Sequence, residues 1–366
     1  MARGSLASIA LLAVPWLLLS LVGLASGDAV LDLQNKGRPN LDAQLAKGDL
    51  SATDRKAYIA AMLCLMSAPS KLDKTKFPGA KSRYDDFVVV HMNQTLNIHG
   101  TGSFLSWHRY YTWAFEQTLR NECKYNGTQP YWDWGRTAAN PAQSALFDGS
   151  DTSLSGNGEK ISHRSNGIVL GDGGGCVQTG PFKNMTVHLG PVSPAVDPAP
   201  PRNPRQDGYG DNPRCLRRDI SNVLSSRYTR TQDIVNLITS SKDIGSFQTT
   251  LQVAGSAQTG IGLHAGGHYT IAGDPGGDFY TSPNDPAFWV HHAMIDRTWT
   301  IWQTQDLPNR MAVIAGGTSM MGFGKAQSLD DIVDLGVVGK PYPIRQLTSV
   351  VGDSNDYGPG FCYMYE

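Results

Sequence analysis

Apolar and polar positions alternate in several distinct ways along this chain. From Ile9 to Leu24 the residues are apolar apart from breaks such as Pro15 and Ser20. Arg3 stands before that run and Ala25-Ser26-Gly27 after it. A basic start, a short apolar run and small residues at its exit predict a secretory signal over residues 1–27, with the mature chain starting near Asp28. No later run approaches the ~20 apolar residues that a bilayer span needs. Helical spacing begins at Ser51-Ala52-Thr53-Asp54, which has the form of a capping box and opens a helix to about Met66. A second helix is expected over about 82–94, followed by a loop over 97–102 with Gly100 and Gly102 as breakers. Trp107, Tyr111, Phe115 and Thr118 then recur at helical spacing, so a long amphipathic helix is expected over about 103–122. Helical patterns return over 219–240 and 246–252, and a Gly-interrupted segment covers 261–269. Asn284-Asp285-Pro286 marks another start, with Asp as N-cap and Pro at the first helical position, of a helix reaching about Gln305. Beyond it only short strands are expected, near 331–351.

Between Asp148 and Pro213 the periodic signal vanishes and Gly, Pro, Asn and Ser accumulate. Cys176 and Cys215 flank much of this stretch, which predicts an ordered, stapled loop system rather than a disordered one. There are five cysteines, and a secreted chain can oxidise them. The pairings Cys176–Cys215 and Cys64–Cys123 are favoured, leaving Cys362 odd, although spacing alone does not choose among the arrangements. Asn93, Asn126 and Asn184 each begin an Asn-X-Thr sequon and are glycan candidates.

Composition narrows the function. The 366 residues suffice for a large core, and 28–366 reads as a single domain. Lys plus Arg (31) balance Asp plus Glu (32), so the basic excess of a nucleic-acid or membrane-surface binder is missing. Eight Trp and fourteen Tyr argue against wholesale disorder.

Seven of the nine histidines fall into two groups: His91, His99 and His108, and His264, His268, His291 and His292. His264 and His268, four apart, share one face if helical. Such a pair alone is often only a pair of satisfied polar residues. His291 and His292 sit in a heavily apolar helix, however, and buried imidazoles need a partner or a metal. Neighbours on a helix point about 100° apart, so only one of the two can face the first pair. Neither group has an Asp, Glu or Cys at ligand spacing. Hydrolytic two-metal sites hold hard ions with carboxylates, whereas all-imidazole sets suit copper. Low-coordinate copper in a secreted protein points to dioxygen chemistry.

These residues carry a resemblance. His91 and His99, with Trp107-His108-Arg109-Tyr110 and Glu116 beyond, resemble the first copper signature of tyrosinases and catechol oxidases. Asp285-Pro286-Ala287-Phe288, His291-His292 and Asp296-Arg297 resemble the second. The two signatures lie within 91–116 and 264–297, with the Pro/Gly-rich insert of about 148–213 between them. Tyr363-Met364-Tyr365 is similar to the motif closing the short secreted fungal group. The resemblance implies a mainly α fold, an antiparallel four-helix bundle with long ordered loops and few short strands. It implies two copper ions, one held by His91, His99 and His108 and the other by His264, His268 and His292, with O2 as co-substrate. His291 would support the ligands through hydrogen bonds, and Asp296 could accept from an imidazole N–H and fix its tautomer. Phe279 occupies the family's gate position above the first copper, and the substrate would stack near His268 and Phe288.

The departures bear on substrate. Asn97 stands where many relatives have a thioether-forming Cys, so no thioether is expected. Ala265 follows His264 where monophenol hydroxylases often have Asn. Gln252 stands where a water-holding Glu is common, and it could hold a water without a charge. Ala plus Gln polarise a water poorly for removing a phenol's proton. The resemblance therefore implies a copper oxidase turning o-diphenols into o-quinones, with monophenol hydroxylation weak or absent. One alternative is a tailoring enzyme of secondary metabolism acting on a peptide tyrosine or an o-aminophenol. Another is a non-catalytic, hemocyanin-like oxygen carrier.

Overall fold

A computed structural model describes residues 44–46, 50–165, 171–253, 260–320, 324–351 and 358–365. The expected signal at 1–27 lies outside the described residues. The chain divides into two compact units, Met1–Gln44 and Leu45–Glu366, and every element named below belongs to the second. Among the described residues no helix is long and apolar enough to cross a membrane.

The fold is mainly helical, an antiparallel bundle with few short strands. Helix α1 (Ala52–Ser67) starts where the sequence placed it, with the Ser51 hydroxyl accepting the Asp54 N–H at 3.2 Å. Helix α2 (Arg83–Ile98) has a reciprocal cap. Asp85 accepts from the Ser82 N–H at 2.8 Å, and the Ser82 hydroxyl accepts from the Asp85 N–H at 3.2 Å. It runs four residues past the expected end, so His91 lies in mid-helix and His99 at the C-cap. Helix α3 (Phe104–Cys123) ends on Lys124 in the left-handed conformation, φ 57°. The Cys64–Cys123 disulfide ties its last residue to α1.

The single helical stretch expected over 219–240 is two helices, α4 (Asn222–Tyr228) and α5 (Thr231–Ser240). Thr229 leaves helical geometry between them, and Asp233 accepts from the Arg230 N–H to begin the second. Helices α6 (Ile244–Val253), α7 (Leu263–Ile271) and α8 (Ala287–Thr304) follow. Asp285 accepts from the Ala287 N–H at 2.8 Å and pairs with buried Arg218 at 2.7 and 2.8 Å. One carboxylate thus starts α8 and ties it to Arg218, whose guanidinium also donates to the Leu154 and Ser155 carbonyls of the insert.

The core between α2, α3 and α8 is aromatic. Trp289 stacks on Phe115 at 3.6 Å between centroids and lies 5.0 Å from Tyr111, and its N–H donates to the Tyr84 hydroxyl at 2.9 Å. Truncating such a ring to alanine costs about 3–5 kcal/mol. The insert is held by short antiparallel ladders, Gly158–Lys160 with Gly174–Val177 and Thr186–Val187 with Arg214–Cys215, and by the Cys176–Cys215 bridge. Both favoured disulfides are present, and Cys362 stands outside them. The strand pair Ile332–Val333 and Tyr342–Pro343 falls where short strands were expected.

Candidate metal centre

Helix α2 presents His91, its C-cap presents His99, and the early part of α3 presents His108. Each Nδ1 meets a backbone carbonyl: His91 to Tyr280 at 2.9 Å, His99 to Thr95 at 2.9 Å and His108 to Phe104 at 2.8 Å. A carbonyl only accepts, so Nδ1 carries the hydrogen and Nε2 carries the lone pair. The Nε2 atoms of His91 and His108 are buried and have no protein partner. Buried polar atoms are normally paired, so two orphaned lone pairs in one cluster fit a metal ion. The candidate ligand atoms of this trio lie within 4.8 Å of one another.

The second group is built on α7 and α8. His264 and His268 are one turn apart on α7, and His292 faces them from α8. The Nε2 of His268 lies 3.2 Å from the Nε2 of His264 and 3.2 Å from that of His292. The two trios abut: the His108 and His292 rings stack at 4.4 Å, and those of His99 and His264 face each other at 5.7 Å. Burial pushes all seven imidazoles below their ordinary range, His99 to about 4 and His291 to about 3. They are therefore neutral near pH 7, the form that ligates.

His291 is near these atoms yet committed elsewhere. Its Nδ1 accepts from the Trp134 indole N–H at 3.1 Å, and its Nε2–H donates to the His264 carbonyl at 3.0 Å. It thereby holds the backbone of a neighbouring imidazole. A Cβ on Gly267 would come within 2.1 Å of the His291 ring, so only glycine lets α7 approach this closely. The Trp134 contact carries no sign in the sequence, where Trp132 and Trp134 simply form an aromatic cluster. The Tyr280 carbonyl was missed because a backbone oxygen has no signature in a sequence.

Two expectations are corrected, those for Asp296 and Phe288. Asp296 meets no imidazole: it accepts from Arg109 Nε at 2.5 Å, Tyr363 at 2.6 Å and Tyr365 at 2.5 Å. Burial and then the Asp296 charge push both phenols well above their usual range, so they stay donors. Gln252 is tied to the backbone at both ends of its amide. Its Oε1 accepts the Gly100 N–H at 2.8 Å and its Nε2 reaches the Gln248 carbonyl at 3.3 Å, fastening the loop after His99. Phe288 offers no open face to a substrate, being 1% exposed and wedged 4.2 Å from the His292 ring and 5.5 Å from that of His91. Phe279 is 36% exposed, with its ring 4.7 Å from that of His99. Ala265 is half-buried beside His264. His163 and His188 lie in the insert, bound to Asp219 and Asp211.

Two adjoining all-imidazole trios with inward Nε2 atoms fit borderline or soft ions, copper foremost. Comparison with known proteins agrees. The common central domain of tyrosinase matches residues 81–305. Tyrosinase P of Aspergillus terreus is 39% identical over 333 residues, covering 87% of this chain and 90% of that protein. N-acetyl-6-hydroxytryptophan oxidase ivoB of Emericella nidulans is 35% identical over 377 residues, covering 96% of this chain and 100% of that one. A point mutant of the polyphenol oxidase from Thermothelomyces thermophila superposes with TM-score 0.84 at 38% identity, over 94% of this chain and 96% of its own.

Proposed function

Since the chain belongs to the tyrosinase family, the copper oxidoreductases of small phenols, we propose that it oxidises o-diphenols to o-quinones with O2 and hydroxylates monophenols weakly or not at all. In this reading His91, His99 and His108 hold one copper, and His264, His268 and His292 hold the other. The copper pair supplies the redox chemistry toward O2. The chain supplies the rest. Three carbonyls keep the first trio in one tautomer, and His291 holds the backbone of His264 for the second. Phe288 wedges the rings from below, and Phe279 narrows the entry over His99.

The observation that carries the substrate choice is the state of Ala265 and Gln252. The first has no polar atom, and the second has its amide bound to the backbone on both sides. Neither carries a charge that could take a proton from a monophenol or polarise a water strongly for that step, and a catechol, being more acidic and easier to oxidise, needs less help. A second reading is a tailoring oxidase of secondary metabolism acting on a hydroxyindole, an o-aminophenol or a peptide tyrosine. The end-to-end similarity to a relative named for N-acetyl-6-hydroxytryptophan favours its hydroxyindole form.

The test is quinone formation by copper-quantified protein over a panel of catechols, matched monophenols, aminophenols and hydroxyindoles. A monophenol turned over as fast as its catechol overturns the first reading, and a preference for the hydroxyindole selects the second. Turnover of any of them excludes an oxygen carrier. The proposal includes secretion, supported by the two disulfides, which persist in oxidising compartments. Protein recovered from culture medium should begin near Asp28.

A further inference from the structure

Asp278 is fully buried and is not among the histidines or their immediate hydrogen-bond partners. A buried carboxylate is unfavourable unless its lone pairs are satisfied. Here four backbone N–H groups do so. Oδ2 accepts from Val192 and Ser193, each at 2.7 Å, and Oδ1 accepts from Tyr280 at 2.9 Å and Thr281 at 3.2 Å. One side chain thus joins the insert loop at 192–193 to the turn that follows it in sequence. The contact is close elsewhere too: a Cβ on Gly190, φ 74°, would come within 2.6 Å of the Thr281 side chain.

The two residues after Asp278 both touch the first trio. The Phe279 ring lies 4.7 Å from that of His99, and the Tyr280 carbonyl takes the Nδ1–H of His91. The second trio is braced from another direction, through Trp134 and His291. We infer that Asp278 is a positioning residue for the first trio, setting His91 and His99 through the turn it clamps and leaving His264, His268 and His292 to their own support. This rests on the reading of both trios as copper sites. A carboxylate that merely held the fold together would affect both sites alike.

The selectivity is measurable. A coupled pair of Cu(II) ions is silent in electron paramagnetic resonance, whereas a Cu(II) left alone gives a signal. Asp278→Ala removes all four acceptor contacts. Asp278→Asn keeps one acceptor oxygen and turns an amide NH2 against the remaining donors, so it is the milder variant should the alanine form not accumulate. Loss of hydrogen-bonded support behind a ligand weakens metal affinity about 10- to 100-fold. The expected result is that weakening at one of two sites, a copper content falling toward one per chain, and an EPR signal absent from the parent. Asp219→Ala is the control. It removes a carboxylate that grips Gly171, Gly173 and His163 in the insert, so it should lower stability while the pair stays silent. Both coppers lost in parallel from the Asp278 variants, or a silent pair retained at full content, overturns the inference. A parent protein that itself holds no silent pair removes instead the reading on which it rests.

Discussion

Replacing Gly267 by alanine sets two effects of opposite sign against each other. In the interior of α7, alanine in place of glycine favours the helix by about 1 kcal/mol. Against that, the new methyl would sit 2.1 Å from His291 Cε1 and 2.4 Å from its Nδ1. Carbon atoms rest at about 3.5–4.0 Å, so the ring and the helix must part by more than about 1 Å. The His291 bonds, at 3.0 and 3.1 Å, do not survive such a shift. Each is worth about 1 kcal/mol, and stranding its buried partner costs about 1–3 more. Over both bonds, and less the helix gain, the net expectation is a loss of about 3–7 kcal/mol with weaker copper retention at the second trio. Gly266→Ala is the comparison, since its methyl would meet Tyr228 Cβ at 2.8 Å, and Thr229 Cγ2 and the Tyr228 carbonyl oxygen at 3.4 Å, but no histidine among these. It should be the milder change and should leave His291 in place. Thermal unfolding of the copper-free and copper-loaded forms reads both effects. A Gly267→Ala protein as stable as its parent, with full copper content, would falsify the claim that His291 braces α7.

Asp296→Asn leaves Arg109, 1% exposed, without its counter-charge, and should lower stability by about 3–5 kcal/mol. Tyr365→Phe should cost only about 1 kcal/mol, so equal thermal shifts for the two variants would contradict this. At His163, burial disfavours the charged ring, but the Ile161 carbonyl and Asp219 outweigh it and leave the pKa raised. Its contribution to stability is fully present below the unfolded value near 6.5 and is lost as pH rises through the raised folded value. His163→Asn should remove that loss as pH rises above about 6.5, and parallel unfolding profiles would refute it. Replacing Cys176 and Cys215 together by Ser should cost about 2–5 kcal/mol. It should also expose the insert to proteolysis before the bundle, and cleavage elsewhere first would count against the staple.

What the sequence disclosed was periodic or chemical in kind. The helices bearing His91, His108 and His292 were legible because apolar residues recur along them, and the six inward imidazoles because histidine is scarce enough for two clusters to stand out. The start of α1 was legible in Ser51 and Asp54. The errors lie where a side chain's partner is far away in sequence. Asp296 sits four residues past His292, close enough to suggest an imidazole partner. Its real partners, Arg109, Tyr363 and Tyr365, arrive from distant segments. Gln252 was read by its position in a pattern, but its amide is used by Gly100, 152 residues away along the chain. Asp278 gave no signal at all, because what it binds is main chain.

The oxygens that fix the protonation of His91, His99 and His108 belong to the peptide groups of Tyr280, Thr95 and Phe104. No codon change can delete them. A centre oriented by carboxylates would have three more positions at which a single substitution could scramble it. Here the orienting groups are ones that every amino acid brings to its position.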